Sequence, residues 1–191
     1  TEFNSLRKNW AYRVDQMSTT HPIATDMEDL DAVRTNFDGI SYAKGASVLQ
    51  QLVAHVGRDN FIKGLRLYFT KHAFGNTTLK DLIDQLEAAS GRDLTPWVST
   101  WLRTAGVNTL RPVIEIDGAN YKSISIKQEV PTMPVGSKEL RPHRLHVGLF
   151  DISGDKLTRR TSVELDIEGA LTEVSALAGQ KLADLVLIND K

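Results

Sequence analysis

The chain has 191 residues, 41% hydrophobic and 25% charged, which suits a folded globular protein of one medium domain or two small ones. Its 23 basic and 24 acidic residues leave a net charge of −1, without the basic excess of a nucleic-acid binder, and no apolar run reaches the ~18 residues of a membrane span. Cysteine is absent, which excludes disulfides and thiolate metal sites and fits a reducing, cytoplasmic compartment. No signal peptide opens the chain, and Thr1 is not a natural initiator, so the chain is expected to be processed or cut from something longer.

Leu6, Trp10 and Val14 allow a first helix, which His21-Pro22 should end because the residue before proline avoids the helical region. The acidic run Asp26, Glu28, Asp29 and Asp31 resembles a calcium loop only in charge. It lacks the central glycine and terminal glutamate, and reads as a solvated face. From Ala46 to Leu102 apolar residues recur at three and four, the spacing that buries one face of a helix. Ala46, Val48, Leu49, Leu52, Val53 and Val56 form one such face, and Phe61, Ile62, Leu65, Leu67, Tyr68 and Phe69 the next. Leu79, Leu82, Ile83 and Leu86 form a third, and Leu94, Trp97, Val98, Trp101 and Leu102 a fourth. Gly57 and Gly91 supply stops, Asn76-Thr77-Thr78 a cap for the third helix, and Thr95-Pro96 a start for the fourth.

Near residue 108 the period becomes two. Asp117-Gly118 separates Val113-Ile114-Glu115-Ile116 from Tyr121-Lys122-Ser123-Ile124-Ser125-Ile126, a hairpin signal. Further strands are expected over 144–152, 157–167, 171–177 and 182–188, with a second hairpin turn at Ser153-Gly154-Asp155. The segment 131–140 holds two prolines and a glycine and reads as a mobile surface loop. The expected fold is α+β: a helical bundle over 1–107 followed by a small β-sandwich over 108–191.

The residues offer little chemistry on their face. None of His21, His55, His72, His143 and His146 is followed by glutamate, so no His-Glu-x-x-His metal helix exists. His143 and His146 fall in a strand at odd spacing, which points them to opposite faces, and they read as solvated. Gly-x-Ser-x-Gly and phosphate-loop patterns are absent. One stretch stands out, Asn36-Phe37-Asp38-Gly39-Ile40-Ser41-Tyr42-Ala43-Lys44-Gly45-Ala46. Asp38 or Ser41 can cap the helix that follows, and Tyr42 then lies in its first turn. There it is either a side chain projecting from the helix mouth or, the commoner outcome, a buried tyrosine with a satisfied hydroxyl. Gly45 costs its helix about 1 kcal/mol against alanine, which suggests another backbone close by.

This stretch resembles the zinc aminopeptidase N family, whose pattern joins His-Pro-Ile to Phe-Asp-x-Ile-Ser-Tyr-x-Lys-Gly-Ala. Here these are His21-Pro22-Ile23 and the run from Phe37 to Ala46. The likeness continues through Gly57-Arg58-Asp59-Asn60-Phe61, Ala73-Phe74-Gly75-Asn76, Trp101-Leu102 and Ala105-Gly106-Val107. Leu110-Arg111-Pro112 and Arg141-Pro142-His143-Arg144-Leu145 look like the actinobacterial branch.

The resemblance implies an internal fragment of a metallo-aminopeptidase. Residues 1–107 would be the C-terminal part of a thermolysin-like catalytic domain, and 108–191 the β-sandwich domain after it. The zinc helix and the Gly-x-Met-Glu-Asn segment that binds the substrate's amino group are missing and would lie upstream of Thr1. Zinc, held by two histidines and a glutamate, is therefore expected in the parent enzyme and not in this fragment, which should be inactive alone. By the same resemblance Tyr42 would donate its hydroxyl to the oxyanion of the tetrahedral intermediate, and Phe37 would line the first substrate pocket. Lys44 and Gly45 are read as structural. The expected partners are peptide substrates, with no nucleic acid and no membrane, and apolar surface exposed by truncation should favour a homo-oligomer. The alternative is a non-catalytic helical plus β-sandwich interaction module.

Overall fold

The structure, a computed structural model, describes residues 7–135 and 137–190. The chain divides into two compact units, one ending at Ala105 and the other starting at Gly106.

The first unit is helical: α1 (Lys8–Val14), α2 (Leu30–Thr35), a π-helical turn (Ile40–Lys44) that runs into α3 (Gly45–Val56), then α4 (Arg58–Lys71), α5 (Leu79–Ser90) and α6 (Thr95–Trp101). Leu6, expected to open the first helix, lies outside the described residues. That helix ends at Val14, well before His21-Pro22, because the chain turns at Asp15, whose Oδ1 accepts the Thr20 hydroxyl at 2.7 Å. The acidic face is exposed as expected, but one of its members does local work: Asp29 caps α2, accepting the Ala32 N–H at 2.7 Å. Thr78 and Asp81 close a reciprocal capping box on α5, and the Thr78 N–H pulls the Asp81 carboxyl below the ordinary carboxylate range. Thr95 does not cap α6: it is the first residue of the helix, and its N–H is accepted by Asp93 Oδ1 at 2.9 Å.

Val48, Leu52 and Val56 of α3 form the core with Ile83 and Leu86 of α5, Trp97 and Trp101 of α6, and the flanking Leu94 and Leu102. The apolar face expected on α4 is only half covered: Phe61 packs against the core and Leu65 and Tyr68 are half-buried, but Ile62, Leu67 and Phe69 are exposed, and Gly64 is the residue of α4 that is buried. A Cβ at Gly64 would stand 2.8 Å from Leu86 Cδ2 and 3.1 Å from the Gln85 carbonyl oxygen. The close backbone approach expected at Gly45 is therefore found at Gly64. A Cβ at Gly45 would meet only ordinary contacts, at 3.7 Å and 3.8 Å.

The second unit holds two three-stranded antiparallel sheets. One has the order β1 (Thr109–Asp117), β2 (Asn120–Glu129), β5 (Leu171–Glu173); the other has β4 (Lys156–Ile167), β3 (His143–Ser153), β6 (Leu185–Ile188). Both hairpins turn where expected, with Gly118 at φ 58 and Gly154 at φ 60. A bulge opposite Glu115 and Ile116 shifts the parity of β2 and brings Tyr121 onto the same buried face as Ile124 and Ile126. These three share one core with Leu145, Val147, Leu149, Ile167, Val174 and Leu177. The strand expected over 171–177 stops at Glu173. A 3₁₀ turn (Ser175–Leu177) follows, because Val174 and Leu177, three apart, both enter the core. The last strand starts at Leu185 instead of residue 182, since the Leu182 and Ala183 N–H groups bond the Ala119 carbonyl and the Tyr121 hydroxyl.

The described part of 131–140 carries no helix or strand. It is fastened through buried Pro131 and through the Glu139 carbonyl, which accepts from Asn108 Nδ2 at 2.6 Å. His143 is not solvated. It is partly buried, its Nε2 3.0 Å from Gln128 Oε1, and burial together with nearby Arg141 pushes its pKa down to about 4. His146 sits on the opposite face of β3, its Nε2 3.7 Å from Glu164.

Candidate active site

The segment 36–46 folds as a fastened turn with one aromatic pair facing out. Asp38 Oδ1 accepts the N–H groups of Ile40 at 2.8 Å and Ser41 at 3.1 Å. Asp38 is therefore the cap. Ser41 is not, since its hydroxyl donates back to the Asn36 carbonyl at 2.6 Å. Ile40 and Ala43 are buried and anchor the inner side of the turn. Lys44 is buried as well, and its Nζ lies 2.7 Å from Asp15 Oδ2, an ion pair that ties the turn to the end of α1. Gly39 lies under the Trp10 indole so closely that a Cβ would stand 2.9 Å from Trp10 Cε2.

On the outer side, Tyr42 is 55% exposed and Phe37 70% exposed. Their rings meet edge to face with centroids 4.8 Å apart. Tyr42 is not the buried core aromatic that the sequence read alone would favour. Tyr42 sits at the start of a helical run, near the end that carries positive partial charge, and a phenol can donate a hydrogen bond outward.

The histidine of His21-Pro22-Ile23 reaches this turn. His21 Nε2 lies 3.2 Å from Asp38 Oδ2, and Nδ1 lies 2.8 Å from the Pro22 carbonyl oxygen. The His-Pro-Ile motif by itself names no contact for its histidine. Asp15 and Trp10 were missed also, since each supports the turn from a distant part of the chain. Among the described residues no three His, Asp or Glu side chains converge to hold a metal.

Residues 2–101 match the peptidase family M1 domain. The chain belongs to peptidase family M1. Over its whole length this M1 segment is 53% identical to aminopeptidase N of Streptomyces lividans, of which it covers 23%. It is 31% identical to the leucyl aminopeptidase of Saccharolobus solfataricus, over 82% of the segment and 19% of that protein. It is 36% identical to the tricorn protease-interacting factor F2 of Thermoplasma volcanium, over 58% of the segment and 14% of that protein. The M1 segment thus spans less than a quarter of the length of these relatives, and its likeness to the Streptomyces enzyme gives it the actinobacterial type.

Proposed function

We propose that this segment supplies the transition-state donor and one pocket wall of a zinc aminopeptidase that removes N-terminal residues from peptides. The single observation that carries the reading is the exposure of the Tyr42 ring, edge-on to Phe37, on a turn whose other side is buried and fastened. When the scissile carbonyl is attacked, its oxygen gains negative charge, and a rigidly held hydroxyl aimed at it stabilises that charge without reorganisation. Tyr42 is assigned this role. Phe37 is assigned to the wall against the substrate's first side chain, where an aromatic face takes apolar or cationic groups.

Zinc supplies Lewis-acid chemistry in such enzymes. The residues described here do not fit it, and its ligands are assigned to chain outside this segment. The helical unit is read as the C-terminal part of the peptidase domain and the sheet unit as the β-sandwich domain that follows. We place the enzyme in the cytoplasm; no helix among the described residues is long and apolar enough to cross a membrane. The exposed apolar side chains of Leu30, Phe69 and Phe74 support self-association of the isolated segment. A monodisperse monomer by light scattering would count against that.

The test uses the full-length protein that carries this segment. It should hydrolyse amino-acyl anilides with a free α-amino group, lose activity to a chelator and regain it with added zinc, and spare the N-acetylated substrates. No hydrolysis of either substrate by zinc-loaded protein would favour the non-catalytic interaction module instead.

A further inference from the structure

The Asp38 carboxylate is shared between two tasks. Its Oδ1 holds the N–H groups of Ile40 and Ser41, and so shapes the turn that presents Tyr42. Its Oδ2 faces His21 Nε2 at 3.2 Å, with both side chains largely shielded from water at 16% and 25% exposure. The histidine is itself held. Nδ1 bonds the adjacent Pro22 carbonyl, proline fixes the backbone that follows, Ile23 packs on the helical core, and the Ala24 N–H donates to the Leu102 carbonyl at 2.8 Å. A continuous set of contacts therefore runs from the core through His21 to Asp38. From there it reaches Tyr42, whose N–H bonds the Asp38 carbonyl at 3.2 Å.

We propose that His21 is a positioning residue for Tyr42: by clamping Asp38 Oδ2 it fixes the angle at which the phenol meets the substrate oxygen. The proposal rests on the assignment of Tyr42 as donor. A contact of this kind acts through geometry, and small misplacements of a catalytic group cost turnover steeply. The Pro22 carbonyl and the Asp38 carboxylate both accept, so His21 donates to both only when the imidazole carries both protons, and its contact with Asp38 is then an ion pair; a neutral amide can supply the N–H toward Asp38 but not the charge.

The experiment is a double-mutant cycle in the full-length protein. His21→Ala should lower kcat about 10- to 100-fold with KM within about twofold. Tyr42→Phe should lower kcat about 10²- to 10³-fold. The two together should fall no further than Tyr42→Phe alone, because a misplaced phenyl ring has no donor left to lose. His21→Gln, which keeps an N–H toward Asp38, should recover part of kcat, and it serves also if the alanine variant does not fold. A 3-fluorotyrosine label, its Tyr42 resonance identified by loss in Tyr42→Phe, should shift in both His21 variants. Equal losses from His21→Ala in the two backgrounds would overturn the positioning role and leave Tyr42 standing. So would full kcat in His21→Ala beside a crippled Tyr42→Phe. Full kcat in Tyr42→Phe would sink the donor assignment, and the role of His21 with it.

Discussion

The Phe37 and Tyr42 rings lie edge to face, their centroids 4.8 Å apart and their planes at 67°. The geometry matches the preference of aromatic quadrupoles, yet both rings stay more than half exposed. The side chains proposed as wall and donor are thus in contact, five positions apart on either side of the Asp38 cap.

This predicts a division of labour in the full-length enzyme. Phe37→Ala should raise KM for peptides with an apolar first residue by about tenfold, near 1.4 kcal/mol of lost packing. Its effect on kcat should be smaller. Steady-state kinetics across a series of first residues checks this. Unchanged KM for every member would remove Phe37 from the pocket.

Two glycines in helices should respond in opposite directions to the same substitution. Gly64→Ala drives a methyl group into the α5 backbone, and overpacking of this kind costs about 1–3 kcal/mol. Gly45→Ala meets only ordinary contacts and gains helix propensity of up to about 1 kcal/mol. Thermal melts of the two variants should move to either side of the unsubstituted chain.

The Lys44 and Asp15 side chains are 5% and 1% exposed at 2.7 Å separation. Lys44→Met leaves the buried carboxylate without its lysine, a loss of about 3–5 kcal/mol that should appear as a large fall in Tm. Adding Asp15→Leu should recover much of it, because two apolar groups remove the stranded charge. A single variant as stable as the original chain would show that the pair contributes little.

His143 gives the sheet unit a pH dependence. Folded, it stays neutral down to about 4, while the unfolded chain takes up a proton near the ordinary 6.5. Between those values the unfolded state binds more protons, so stability falls as pH falls through that window and levels off below it. Denaturant melts at a series of pH values should show this slope, and His143→Gln should flatten it. A His143 imidazole titrating near 6.5 by NMR would contradict the burial argument.

What could be read from the sequence was mostly local. The hairpins at Gly118 and Gly154, the Thr78 cap and the switch of period near residue 108 depend on neighbouring residues, and they stand in the structure. Burial depends on partners, and here the reading slipped. Ile62 and Phe69 lie one step round α4 from the half-buried stripe of Phe61, Leu65 and Tyr68 and stay exposed, and His143 is bonded to Gln128 from another strand. At the candidate site the motif singled out Tyr42 and Phe37. It could not show that His21 meets Asp38, 17 positions away, or that Trp10 lies over Gly39. Those contacts exist only after the chain has folded back on itself.

In the proposed reading the Tyr42 hydroxyl acts on the transition state and not on the bound substrate. Steady-state kinetics of Tyr42→Phe in the full-length, zinc-loaded protein test it most directly. The expected result is kcat lower by about 10²- to 10³-fold with KM nearly unchanged. A variant that keeps its kcat, or loses only KM, contradicts it.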